Sequence, residues 1–158
     1  MAAMTPSHRG ILWDDLRHGQ TFWSSGRTIT EHDVSAFSAL SGDFNPLHVD
    51  DEEGKCSVFG RRIPHGPLGM LFAIGGYDRI GLLEGVVVAL LDMSWRFRAP
   101  MHIGDTLRTK VTVAALEESR KPDRGKLTMH LQMYNQREEI VQEGEHRFLI
   151  RRRINGDA

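Results

Sequence analysis

From Val86 onward the pattern is that of strands, with four runs in which hydrophobic and polar residues alternate with a period of two. Met93, Trp95 and Phe97 alternate with Ser94, Arg96 and Arg98, and Leu107, Thr109, Val111 and Val113 with Arg108, Lys110 and Thr112. Leu127, Met129, Leu131 and Met133 alternate with Thr128, His130, Gln132 and Tyr134, while His146, Phe148 and Ile150 form a weaker last run. Successive side chains of a strand point to opposite faces, so each run predicts a strand with one apolar and one polar face. Turn-forming residues separate the runs at Ala99-Pro100 with Gly104-Asp105, at 121–125 and at 135–139. Upstream the period lengthens. Thr30 is a good N-cap, Glu31 and Asp33 suit a first turn, and Ile29 and Val34 occupy the two positions of a hydrophobic staple. Val34, Phe37 and Leu40 then follow helical spacing until Gly42 stops the helix.

A second helix is predicted from Gly66 as N-cap and Pro67 as first helical residue, with Gly81 as its stop. It is apolar on all sides from Leu68 to Tyr77, which marks a buried helix, and Gly75-Gly76 makes sense where another element packs very closely. Gln20 to Thr28 suits an edge strand and a turn, and Asp50 to Arg62 reads as loop or irregular helix. Long antiparallel strands with one polar face, following one apolar helix, give an α+β class: a curved antiparallel sheet wrapped around a central buried α-helix. Sheets of this kind pair edge to edge in dimers, which covers their exposed edges.

With 158 residues the expectation is one domain over 1–158, with loose tails at 1–10 and 152–158. The formal net charge of -1 gives no sign of a nucleic-acid partner, so any anionic ligand must be met by local basic residues. Arg151-Arg152-Arg153 is read as a solvated chain end. Cys56 is the only cysteine, which leaves no disulfide framework or cysteine-rich zinc site and fits a reducing cytoplasm. The most apolar run, Gly85 to Leu91, has strand length rather than membrane-spanning length, and the first ten residues lack the apolar core of a secretory signal. A cytoplasmic protein without a membrane partner is expected.

The chemistry concentrates in Ser41-Gly42-Asp43-Phe44-Asn45-Pro46-Leu47-His48. Pro46 disfavours helical geometry at Asn45, so Asp43 and His48 cannot ride one continuous helix face. A turn can instead bring carboxylate and imidazole to one small volume, as an acid/base pair acting on one water requires. The alternative is that Asp43 and Asn45 merely form Asx turns and His48 is an ordinary surface residue. A metal site from Asp43, His48, Asp50 and His65 fits no dedicated motif, and no metal is expected.

These residues carry a resemblance. The order of short helix, Ser-Gly-Asp-x-Asn-Pro-Leu-His, Ile-x-His-Gly opening a buried helix at His65-Gly66, and long antiparallel strands resembles the MaoC-like dehydratases. These are (R)-specific enoyl-CoA hydratases of the single-hotdog type. The likeness covers Thr28 to Arg151, and Phe97-Arg98-Ala99-Pro100 with Gly104-Asp105-Thr106-Leu107 is similar to the family's strand-turn-strand segment. The resemblance implies reversible hydration of a 2-enoyl-CoA to the (R)-3-hydroxyacyl-CoA, with Asp43 and His48 catalytic. Asn45 and Ser41 would support the turn or the water. The Gly66 N–H, or one just after Pro67, would serve the thioester oxygen. His65, Lys55, Arg61, Arg62, Arg96 and Arg98 are candidates for contacts to substrate or coenzyme. No cofactor is implied, because coenzyme A belongs to the substrate, and a homodimer or higher homo-oligomer is expected. The run Asp50-Asp51-Glu52-Glu53-Gly54, where relatives often have alanine, and Pro67, in place of a flexible apolar residue, depart from the pattern near the acyl passage. Related thioesterases and carrier-protein dehydratases use a carboxylate from the central helix, and Leu68 to Tyr77 offers none, Asp78 standing at its far end. A non-catalytic acyl-CoA-binding module is the remaining alternative.

Overall fold

The structure is a computed structural model and describes residues 10–153. A 3-10 turn (Trp13–Asp15) leads into β1 (Thr21–Trp23) and β2 (Arg27–Thr28). Four helices follow: α1 (Glu31–Ser41), α2 (Pro46–Val49), α3 (Asp51–Cys56) and α4 (Gly66–Arg79). The long strands β3 (Val87–Phe97), β4 (Thr106–Glu118), β5 (Arg124–Tyr134) and β6 (Ile140–Arg151) complete the chain. The sheet runs β1-β4-β5-β6-β3, antiparallel throughout, with β2 also pairing to β4. Register shifts in the β3–β6, β4–β5 and β5–β6 pairs mark bulges or irregularities, and bulges bend a sheet. α4 packs against β4 and β5. This is the α+β arrangement that the sequence pattern anticipates, and the hotdog fold that the resemblance implies. Among the described residues, no helix is long and apolar enough to cross a membrane.

The period-two reading holds in β4 and β5, where Leu107, Val111, Val113, Leu127, Met129, Leu131 and Met133 are all buried. They form the core with Leu68, Phe72, Ala73 and Tyr77 from α4, each such side chain stabilising the fold by roughly 1–3 kcal/mol through burial. On β6 the inward row carries Gln142, Gly144, His146, Phe148 and Ile150, so two polar side chains stand in an otherwise apolar face.

β3 departs from the simple alternation. Met93 and Phe97 are 42% and 59% exposed, and so are Val87, Val88, Leu90 and Leu91 to similar degrees, because β3 is the open edge of the sheet. α4 also differs from the expected wholly buried helix. Leu68, Gly69, Phe72, Ala73 and Tyr77 face the core while Pro67 and Leu71 stay exposed, since the sheet covers only one side of it. Its N-cap is His65, not Gly66, which shifts Gly66 and Pro67 one position into the helix. A Cβ on Gly76 would lie 3.1 Å from Ser24 Cβ, the close approach expected there, whereas Gly75 faces open space.

Residues 1–9 and 154–158, most of the expected tails, lie outside the described residues. The parts that are described are anchored. Gly10 N–H donates to the Glu84 carbonyl at 2.8 Å. Arg152 pairs with Asp14 at 2.9 Å and stacks over Trp13, and Arg153 pairs with Asp15 at 2.9 Å. The acidic 3-10 turn beside the end of β6 thus holds the two arginines that the sequence alone assigns to solvent.

Candidate active site

The segment between α1 and α4 is built by local hydrogen bonds. The Thr30 hydroxyl accepts from Asp33 N–H while the Asp33 carboxylate accepts from Thr30 N–H, a capping box that fixes the start of α1. At its end Gly42 takes φ 77°, the left-handed region that glycine tolerates, and its N–H returns to the Ser38 carbonyl. Ser41 Oγ–H donates to the Phe37 carbonyl at 2.7 Å and Oγ accepts from Asp43 N–H at 3.2 Å. Asp43 Oδ1 accepts from Asn45 N–H at 3.1 Å, and Asn45 Oδ1 accepts from Leu47 N–H at 3.0 Å. These successive Asx turns redirect the chain into α2, with Asn45 as N-cap and Pro46 at its first turn. The turn-forming reading of Asp43 and Asn45 is therefore correct and compatible with the chemical one, because Asp43 Oδ2 remains free of the turn.

His48 projects from α2 and donates Nδ1–H to the Ile63 carbonyl at 2.7 Å. A neutral imidazole holding its proton on Nδ1 has its lone pair on Nε2, so the bond fixes which nitrogen can accept a proton. The α2 backbone is strapped in place by Ile63 N–H to the Leu47 carbonyl at 3.4 Å and by Arg62 Nη1–H to the His48 carbonyl at 3.2 Å. Arg62 also binds Asp51 at 2.5 Å and Glu31 at 3.1 Å.

His65 closes the back of the site. It is 1% exposed, donates Nε2–H to the Asp43 carbonyl at 3.0 Å, and lies 3.8 Å from Asp43 Oδ2. Its ring lies 4.6 Å from that of Phe37 and 3.9 Å from that of His48. Burial depresses its pKa most, opposed by the hydrogen bond to Asp43, and the neighbouring His48 adds to the depression. His65 is thus held neutral as a spacer between helix and turn. Asp43, His48 and His65 each bring one nitrogen or carboxylate oxygen into a set whose members all lie within 4.8 Å of one another. A single water spans such a gap with hydrogen bonds of roughly 2.8 Å to either side. Zinc ligands sit closer, roughly 3.3 Å apart round a tetrahedral ion, and here one nitrogen of each ring is already engaged on a backbone carbonyl. Asp50, the fourth residue considered for a metal, caps α3 through Oδ1.

Beside this cluster opens a groove of about 320 Å³, lined by His48, Phe59, Gly66, Phe97, Met101 and Gln142 among others. At the helix start Pro67 has no N–H, and Leu68 N–H donates to the His65 carbonyl at 3.1 Å. Among the described residues the Gly66 N–H has no partner, and Gly66 lines the groove. A Cβ at Gly66 would lie 2.8 Å from the Phe97 ring, so only glycine lets the helix start and β3 approach this closely.

The basic candidates divide. Lys55 pairs with Glu52 and Arg62 buttresses α2, Arg98 pairs with Glu143 and also lines the groove, and Arg61 and Arg96 have no ion-pair or hydrogen-bond partner among the described residues. Gln142 and Phe37 are parts of the site that the sequence does not single out, and Ile63 enters there only as the first residue of Ile-x-His-Gly, without its role as acceptor for His48. Gln142 stands out only as a polar residue on the inward parity of β6.

A family model described as "MaoC like domain" matches residues 16–133. An (R)-specific enoyl-CoA hydratase of Rhodospirillum rubrum is 37% identical over 111 residues, covering 69% of this chain and 74% of that protein. A 3-hydroxybutyryl-CoA dehydratase of Methylorubrum extorquens is 32% identical over 144 residues, 90% of this chain and 85% of its own. The solved structure of a monoamine oxidase regulatory protein from Archaeoglobus fulgius superposes with TM-score 0.86 at 31% identity, over 92% of this chain and 97% of that one. With its hotdog fold, its Asp-x-Asn-Pro-x-His turn and a family match over most of its length, the chain belongs to the MaoC-like hydratase/dehydratase family.

Proposed function

We propose that this protein adds water reversibly across a 2-enoyl-CoA thioester to give the (R)-3-hydroxyacyl-CoA. The observation that carries the reading is the convergence of Asp43 and His48 on one water-sized gap next to the free Gly66 N–H. Water held between the two side chains loses a proton to His48 Nε2 as its oxygen attacks C3. The electrons displaced from the C2–C3 double bond move onto the thioester oxygen, and the Gly66 N–H donates a hydrogen bond to the oxyanion that forms. The imidazolium, stabilised by the Asp43 carboxylate, returns the same proton to C2, and the thioester carbonyl re-forms. Oxygen and hydrogen thus arrive from one face. A positioned donor at a developing oxyanion contributes about 3 kcal/mol to the transition state, and acid/base transfer about 10²–10⁴ in rate.

Two further parts belong to this reading. Arg98, which lines the groove, and the unpaired Arg61 and Arg96 are the basic residues left to meet coenzyme phosphates. A second copy of the chain pairs along β3, whose exposed apolar residues and open edge suit an isologous contact.

The test follows absorbance of the conjugated thioester of crotonyl-CoA, then longer and branched acyls, with the wild type and Asp43→Asn. Expected is water-dependent loss of the enoyl signal, reduced on the order of 10³-fold in the variant at unchanged folding. Equal rates in the two proteins would remove Asp43 from the chemistry. Tight acyl-CoA binding without turnover across the panel would make the protein a binding module, and release of free thiol without hydrated product a thioesterase.

A further inference from the structure

We propose that Gln142 is a positioning residue that holds the oxyanion-binding turn of α4 in register with His48; this rests on the hydratase reading above. Gln142 lies on β6, 1% exposed, and its carboxamide is inserted against the first two turns of α4. Nε2–H donates to the Gly66 carbonyl at 2.9 Å, and Oε1 accepts from Trp95 Nε1–H at 2.8 Å. The other Nε2 proton has only the weak thioether acceptor of Met101, at 3.4 Å.

Gly69 completes the arrangement. A Cβ at that position would lie 2.5 Å from Gln142 Oε1 and 2.7 Å from both Cδ and Nε2, so the amide occupies the space a side chain would take. Gly66 and Gly69 are three residues apart, hence on one helix face. Phe97 presses on the first and Gln142 on the second. An apolar side chain would fill this corner without the desolvation cost of a buried amide. The amide does what no apolar residue can: it grips the carbonyl of a glycine that has no side chain of its own to fix it. Gly66, Gln142 and His48 line the same groove. A donor must be held to within a few tenths of an ångström of its place, roughly 2.7–3.1 Å from the oxyanion, so loss of the grip acts on the transition state more than on substrate binding.

The experiment compares wild type with Gln142→Met, Gly69→Ala and the double variant, reading kcat and KM for the best enoyl-CoA together with amide hydrogen exchange at Leu68, whose N–H is bonded within the same turn. Gln142→Met keeps the length and volume and loses the grip. Expected is a fall in kcat on the order of tenfold, KM within about twofold, and faster exchange at Leu68. Gly69→Ala displaces the amide and gives the same phenotype, and the double variant is no worse than either single, since methionine flexes away from the new methyl where a bonded amide cannot. Wild-type kcat in Gln142→Met with only a lowered melting temperature would overturn the proposal, leaving Gln142 as ordinary packing. Additive losses in the double variant would overturn the shared mechanism. Should the wild type turn over no enoyl thioester, the hydratase reading and with it the catalytic role of Gln142 fall, while unchanged exchange in Gln142→Met would separately show that the amide does not hold the turn.

Discussion

Replacing His146 removes a specific share of the acid sensitivity of this protein. His146 is 0% exposed, and its surroundings are Tyr77 from α4, Trp95 from β3 and Phe148 from β6, with Met93 and Met129 opposite it on the neighbouring strands. Its Nδ1 lies 3.5 Å from Tyr77 Oη, and Nε2 has no partner among the described residues. Tyr77 is pushed up to about 12 by burial, so it offers a neutral hydroxyl and no charge. Burial lowers the His146 pKa from 6.5 to about 4. The unfolded chain therefore binds one proton more than the folded one between those values, and stability falls as pH drops through that window. A separation of this size corresponds to about 3 kcal/mol in full, of which about 2 kcal/mol is lost by about pH 5. His65 and His102 are depressed by burial in the same direction, so the wild type carries their share as well. Urea denaturation of wild type and His146→Leu at about pH 7.5, 6 and 5 isolates the difference. The variant is expected to lose about 2 kcal/mol less than wild type over that range, whatever its offset at neutral pH. Parallel pH dependences would refute the argument and show that His146 is protonated in the folded state at no cost.

Leu90→Arg on β3 puts a charge into the inferred edge contact; sedimentation should show wild type as a dimer and the variant shifted to monomer, and an unchanged dimer would place the interface elsewhere. Arg62→Met removes the bonds to Asp51, Glu31 and the His48 carbonyl. We expect about 2 kcal/mol of lost stability and a lower kcat with little change in KM, since the side chain supports α2 rather than the coenzyme. A raised KM for acyl-CoA, set against unchanged binding of a phosphate-free acyl-pantetheine analogue, would instead return Arg62 to the coenzyme site.

What could be seen in the sequence follows from what is local in it. Asp43 and His48 are five positions apart, and the residues that bring them together, Ser41, Gly42, Asn45 and Pro46, lie between or beside them. Their turn chemistry is therefore readable without the fold. β4 and β5 are legible for the same reason, since burial on one face imposes a period of two wherever a strand is covered. β3 has the same alternation and gives a different outcome, because whether an apolar face is covered depends on which strand is its neighbour. Arg62 shows the opposite failure: a basic residue near a presumed anionic ligand looks like a ligand contact until Glu31, 31 residues away, and Asp51 are found against it.

Gln142 and His146 carry this furthest. Both stand at inward positions of β6, where the pattern calls for apolar residues, and both break it. A buried polar side chain costs stability unless bonded, so each break asks what bonds it. The answer for Gln142 lies 76 residues earlier, at the Gly66 carbonyl, in the turn that the sequence already marks as chemical. The groups proposed to react were legible because they are near one another in the chain. The group that holds their geometry was not, because it reaches them across the sheet.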